Sequence, residues 1–153
     1  MNGRSVETTF FWFIENYSYS WHKFGEYLRS PSFSAYDPEN TSWWIALYPR
    51  GQRYVSRGYI SLFLARNPTD EGQENVSVKF ELSILAADGS IIHSETKKET
   101  FENNDTSGFE EFLPIDSFYK DILTVRCRLW KGDGKTQESA PICARNYIAI
   151  KNH

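Results

Sequence analysis

An antiparallel β-sandwich of about seven to eight strands, with one or two short helical turns, is predicted by three observations. Apolar residues recur at every second position through several short segments, the period of a strand with one buried face. Gly, Pro, Asn or Asp closes each of these segments and turns the chain. No stretch holds a spacing of three and four long enough for a stable amphipathic helix.

The elements follow in chain order. Residues 1–7 read as a disordered N-terminal extension. Thr9-Phe10-Phe11-Trp12-Phe13-Ile14 is β-branched and aromatic and stops at Asn16. Ser18 to Leu28 offers a short turn. Trp43-Trp44-Ile45-Ala46-Leu47-Tyr48 runs into the turn signal Pro49-Arg50-Gly51. Between Tyr59 and Leu64, Ile60, Leu62 and Leu64 share one face, and Tyr59, Ser61 and Phe63 the other. Val76, Val78, Phe80, Leu82 and Ile84 alternate with polar residues as far as Ala87-Asp88-Gly89-Ser90. The chain returns through Ile91-Ile92-His93, a hairpin. Pro114-Ile115-Asp116-Ser117-Phe118-Tyr119 offers a second turn, with Ile115 and Phe118 three apart. Leu123, Val125, Cys127 and Leu129 alternate with Thr124, Arg126, Arg128 and Trp130. One domain therefore spans residues 8–130. Residues 131–153 read as a polar linker, Lys131 to Ser139, and a short apolar tail, Tyr147-Ile148-Ala149-Ile150.

Composition excludes several function classes. The 153 residues carry 17 basic and 20 acidic side chains, a net charge of -3, and the longest basic run is Lys97-Lys98. Nucleic-acid binding needs a clustered positive face, so it is not expected. No apolar run approaches the length of a membrane-spanning helix. The first seven residues contain no apolar signal core, so an intracellular setting is expected. Cys127 and Cys143 form no CxxC pair and have no histidine at a zinc-site spacing. They read as two reduced, buried thiols, with no metal and no cofactor. Four Asn-x-Ser/Thr sequons, at Asn16, Asn40, Asn75 and Asn104, are read as idle, since loop-rich β domains hold many Asn, Ser and Thr.

A catalytic constellation is not visible. There is no Gly-x-Ser-x-Gly, no His-Glu-x-x-His and no glycine-rich phosphate loop. His22 and His93 lie in polar surroundings, and the acidic group Glu99, Glu102, Asp105, Glu110 and Glu111 reads as a solvated loop face. The chain is read as not an enzyme.

Several segments in order resemble the MATH (meprin and TRAF homology) domain family. They are Phe11-Trp12-Phe13-Ile14-Glu15-Asn16-Tyr17-Ser18, Gly25-Glu26, Ser30-Pro31-Ser32-Phe33 and Trp44-Ile45-Ala46-Leu47-Tyr48-Pro49-Arg50-Gly51. Gly58-Tyr59-Ile60-Ser61-Leu62-Phe63-Leu64, Phe80-Glu81-Leu82-Ser83-Ile84-Leu85 and Gly108-Phe109-Glu110-Glu111-Phe112 complete them. The likeness covers residues 8 to 130 and is strongest to the speckle-type POZ and TD-and-POZ group. It implies a TRAF-like sandwich with a shallow groove for extended peptide segments of client proteins. It also implies that a BTB domain, which no segment here resembles, would link the groove to a cullin-based ubiquitin ligase in a longer parent chain. By position, the resemblance assigns peptide binding to Tyr59, Phe80, Phe101, Ser107, Gly108 and Phe109. The family's Asp-Trp-Gly-Phe motif reads Thr106-Ser107-Gly108-Phe109 here. A groove tryptophan is thus replaced by Ser107, a tyrosine position falls on Glu99, and flanking basic positions become Asp105 and Glu110. The acidic replacements point to a reversed ligand charge. Two other readings stay open: a structural or self-association domain with a degenerate groove, and a carbohydrate-binding sandwich suggested by Trp43-Trp44.

Overall fold

Each period-two segment forms a strand, and the strands stack as two sheets. A computed structural model describes residues 5–117, 121–131, 136–137 and 141–148. Strands β1 (Ser5–Val6), β2 (Thr8–Glu15), β3 (Leu28–Arg29), β4 (Phe33–Ser34), β5 (Ser42–Tyr48) and β6 (Tyr59–Arg66) come first. They are followed by β7 (Val76–Leu85), β8 (Ile91–Phe101), β9 (Thr106–Pro114), β10 (Leu123–Lys131), β11 (Thr136–Gln137) and β12 (Ile142–Tyr147). One sheet has the order β12-β2-β10-β7-β8. The other has the order β3-β5-β6-β9, with β4 also paired to β5. Single-turn 3-10 helices occupy Tyr17–Tyr19, Tyr54–Ser56 and Ile115–Ser117. The first and last fall where short turns were expected, while Phe118 and Tyr119 lie outside the described residues.

The core is the set of inward positions, which alternation names in β6, β7 and β10 and which pairing register selects within the unbroken apolar runs of β2 and β5. Phe10, Trp12 and Ile14 of β2 are buried with Ile45 and Leu47 of β5, Leu62 and Leu64 of β6, and Val125 and Leu129 of β10. Burying each such side chain is worth about 1.5–3 kcal/mol. The β7–β8 hairpin turns where Asp88-Gly89 predicts it, with Gly89 N–H donating to the Ala86 carbonyl. Asn16, Asn40 and Asn104 adopt left-handed φ of 59°, 63° and 71°. Asparagine tolerates this conformation because its short amide bonds locally, which accounts for three of the four sequon asparagines as turn residues.

Five readings need correction. Strand β8 does not end near His93 but continues to Phe101 as the edge of its sheet. Its run Ser94-Glu95-Thr96-Lys97-Lys98-Glu99-Thr100 lacks apolar alternation because one edge is wet, while β7 satisfies its backbone on the other. The acidic group is accordingly not one loop. Glu99 lies on β8 and Glu110 and Glu111 on β9, leaving Glu102 and Asp105 in the turn between them. The segment read as linker and tail supplies β12, which runs parallel to β2 rather than antiparallel. Trp12 Nε1 donates to Asn146 Oδ1 at 2.7 Å and fastens this strand. Of the two cysteines only Cys127 is buried; Cys143 is exposed because it falls on an outward position of β12. Ser5–Val6, read as disordered, pairs with Thr136–Gln137.

One feature had no sequence signal. Arg66, at the end of β6, has a fully buried guanidinium that meets Asp70 through two bonds of 2.9 and 2.8 Å. The same group donates to the carbonyls of Gln73, Glu74 and Phe101. Asp70 in turn accepts from the N–H groups of Ser42 and Gly72 and from the Asn103 amide. Removing one partner of such a pair leaves a buried charge without compensation. Arg66→Ala is expected to lower the unfolding free energy by about 3–5 kcal/mol in urea titration. Arg66→Lys is expected to fail to restore it, because an ammonium cannot reproduce the planar fork.

Burial alone would raise the Asp70 pKa, but bonds from the Arg66 side chain and from the Ser42 and Gly72 N–H groups, with the Arg66 charge, hold it below its ordinary 3.8. A depressed folded-state pKa stabilises the fold above the unfolded value, and that stability disappears as pH falls through the folded one. The stability difference between the wild type and Asp70→Asn is therefore expected to be constant above about pH 5 and to shrink as pH drops below 3.8. Denaturant titrations across pH 2 to 7 check this.

Candidate functional site

Strand β9 pairs with β6 and, among the described residues, has no strand on its other side, so one row of its backbone groups faces outward. Strand β8 ends the opposite sheet, and the turn at 102–105 connects the two. Two edge strands thus border the same flank of the sandwich. Side chains from β8 reach across. Lys97 Nζ lies 3.4 Å from the Gly108 carbonyl oxygen and 5.8 Å from the centre of the Phe109 ring. Glu99 accepts the Ser107 hydroxyl at 2.8 Å. The His93 ring packs edge-on against Phe112, with centroids 4.8 Å apart.

The six residues carried over from the resemblance do not form one cluster. Phe80 and Phe101 are 0% exposed. Their rings pack on each other at 5.9 Å, and Phe101 meets the edge of Trp43 at 5.0 Å. Both are core residues and cannot touch a ligand, which corrects their assignment. Ser107 is 7% exposed, and its hydroxyl is held by Glu99. Phe109 is half-buried and lies over Phe80 and Phe112. Tyr59 is half-buried on the outer face of the same sheet.

Register explains the separation. Phe109 pairs with inward-facing Leu62, while Tyr59 has the outward parity of Ser61 and Phe63. Gly108 pairs with Phe63, and a Cβ there would sit 2.2 Å from the Leu62 carbonyl oxygen and 2.6 Å from the Phe63 Cα. Only glycine lets β9 approach β6 this closely. Gly108→Ala is expected to lower stability by about 3 kcal/mol, measured by thermal unfolding, since backbone rather than a side chain must move.

Sequence reasoning missed an aromatic group beside Tyr59. Tyr27, Trp44, Tyr48 and Phe63 cover the outer face of the sheet, with Tyr27 5.2 Å from Tyr48 and Tyr48 5.7 Å from Phe63. The signal was available: outward positions of β5 and β6 are aromatic where a solvated face would carry polar residues. Trp43, which prompted the carbohydrate reading together with Trp44, is fully buried. Its Nε1 donates to Thr41 Oγ1 at 2.9 Å, so it offers no platform for a sugar.

Electrostatics at β9 also differ from the expectation. Arg53 grips Glu110 through bonds of 2.5 and 2.8 Å, and the Ser56 hydroxyl adds a third. The Arg53 hydrogen bond foremost, with the Ser56 hydroxyl and the Arg53 charge, keeps the Glu110 carboxyl below its usual range. Asp105 accepts the Glu102 N–H within its own turn. The reversal of ligand charge expected from these two acids is therefore largely offset for Glu110. Among the described residues no group of His, Cys, Asp and Glu could hold a metal ion.

The MATH domain family matches residues 9–129. The chain belongs to that family. It is 32% identical to TD and POZ domain-containing protein 4 of Mus musculus and 30% identical to TD and POZ domain-containing protein 1 of the same species. Each likeness takes in 77% of this chain and 34% of the relative, so this MATH domain spans about a third of those proteins' length. Among solved structures, TRAF5 of Notothenia coriiceps superposes with a TM-score of 0.60 at 15% identity, over 84% of this chain and 75% of that one. At that identity the superposition speaks for the sandwich alone.

Proposed function

We propose that this MATH domain is a non-catalytic module that binds extended peptide segments of client proteins along β9. The free edge of β9 carries the reading. An added strand would bond to the outward backbone row, about 4.8 Å from β9. Its side chains would then alternate between the two sides of the sheet. One set would meet Phe109, Lys97 and Glu99; the other would meet Tyr59 and Phe63. Tyr59 and Phe109 lie on opposite faces of the sheet, and a strand-like ligand reads both faces. Where the family carries a tryptophan, Ser107 and Glu99 give a small polar floor, which suits a short or hydroxyl-bearing side chain. The relatives are named for a POZ domain, which supports reading this domain as the client-binding arm of a cullin-based ubiquitin ligase adaptor working inside the cell.

A peptide library titrated against the domain tests this reading. Peptides selected from it should lose about tenfold or more in affinity on Tyr59→Ala and on Phe109→Ala, the loss typical of an aromatic anchor. Lys97→Glu should shift selection toward basic peptides without changing the melting temperature. Binding that survives both alanine substitutions in folded protein would place the site elsewhere.

A further inference from the structure

A hollow of about 440 Å³ lies between the segment after β2 and the β5–β6 connection. Trp21, Lys23, Phe24, Arg50 and Arg57 line it, with His22 behind Trp21. Three of these are cations, and no carboxylate lines the hollow among the described residues. That concentration stands out in a chain of net charge -3. None of the ion pairs among the described residues uses Lys23, Arg50 or Arg57. The nearby acids are engaged: Glu110 by Arg53, Glu26 by the Lys23 N–H and Asp121 by the Ser18 hydroxyl.

The wall is apolar and held in place. Trp21 is 42% exposed and stacks on buried His22 at 4.2 Å, and the His22 ring also meets the Ser20 hydroxyl. Phe24 is 49% exposed and sits edge-on to Tyr54 at 5.6 Å. Arg57 is fixed by a bond to the Tyr54 carbonyl and by lying 3.8 Å over the Tyr54 ring. Arg50 precedes Gly51, whose φ of 86° and lack of a Cβ, which would sit 2.1 Å from the Ser56 carbonyl oxygen, set the turn. A fixed cation, Arg57, beside exposed rings lowers the ordering cost of binding a ligand that carries both charge and apolar surface.

We propose that this hollow binds an acidic peptide segment, with Arg50, Arg57 and Lys23 taking its carboxylates and Trp21 and Phe24 taking an aromatic side chain between them. The proposal rests on these lining residues and does not depend on the reading of β9. A nucleic acid fits less well: three cations without a continuing basic track neutralise too few phosphates.

The probe is the acetylated, amidated pentapeptide Asp-Glu-Phe-Glu-Asp, titrated into the full chain at low ionic strength and followed by amide and Trp indole N–H shifts. Saturable shifts are expected at Ser20 to Phe24, Arg50 and Arg57. Affinity should fall about tenfold or more in Arg50→Glu/Arg57→Glu, as for loss of close charge pairs, and should weaken with salt. Arg50→Gln/Arg57→Gln should give an intermediate loss, Trp21→Ala a loss, and Phe109→Ala no change. The Asn-Gln-Phe-Gln-Asn peptide should not bind. The proposal is overturned if shifts centre on β9, or if either arginine double variant, folded by its spectrum, binds the acidic peptide as the wild type does. It is equally overturned if inorganic phosphate or a single-stranded oligonucleotide matches the peptide's affinity at these residues.

Discussion

The Arg66–Asp70 pair holds together the end of the sandwich at which β6 crosses to β7 and β8 crosses to β9. Arg66 closes β6, and its guanidinium reaches the Phe101 carbonyl at the end of β8. Asp70 reaches Ser42 at the start of β5 and Asn103 in the β8–β9 turn. Both crossings, β6 to β7 and β8 to β9, are thereby tied to one buried charge pair. Desolvating two ions gains little net stability, but the fork of donors admits few arrangements. The pair is best understood as a geometric lock that sets where β8 lies relative to β9. The flank bordered by β8 and β9 inherits its shape from that lock.

The aromatic residues divide into two populations with different work. Phe80, Phe101 and Trp43 are sealed in the core, and Phe109 covers them as the half-exposed edge of that same pack. Tyr27, Trp44, Tyr48 and Phe63 lie outside, where Arg29 sits 4.0 Å above Trp44. A flank with a rigid interior aromatic behind it resists deformation when a ligand docks. An outer aromatic face supplies contact area that a polar sheet face would lack.

Much of the fold was legible because inward positions repeat with period two. Val76, Val78 and Leu82, or Val125, Cys127 and Leu129, can be placed in the core from spacing alone, whereas the unbroken apolar run Phe10 to Ile14 does not say which parity faces inward. The second half of β8 was not legible. A strand whose pairing is satisfied on one side and solvated on the other has no apolar alternation to report it. For the site, glycine at 108 and a phenylalanine at 109 were readable as neighbours of an edge. The burial of Phe80 and Phe101 was not readable as against exposure, because an aromatic on an inward parity serves a core and a pocket equally well.

Sequence alone determined the class of fold, the core strands, the Asp88-Gly89 turn and membership of the MATH family, since each follows from local patterning or ordered segments. Tertiary structure decided which aromatics remain reachable, that Tyr59 and Phe109 lie on opposite faces of one sheet, and that Glu110 is neutralised by Arg53. It also gathered Trp21, Phe24, Arg50 and Arg57, separated by up to three dozen residues, around one hollow. Exposure and charge pairing depend on what the rest of the chain brings alongside, and no local pattern encodes that.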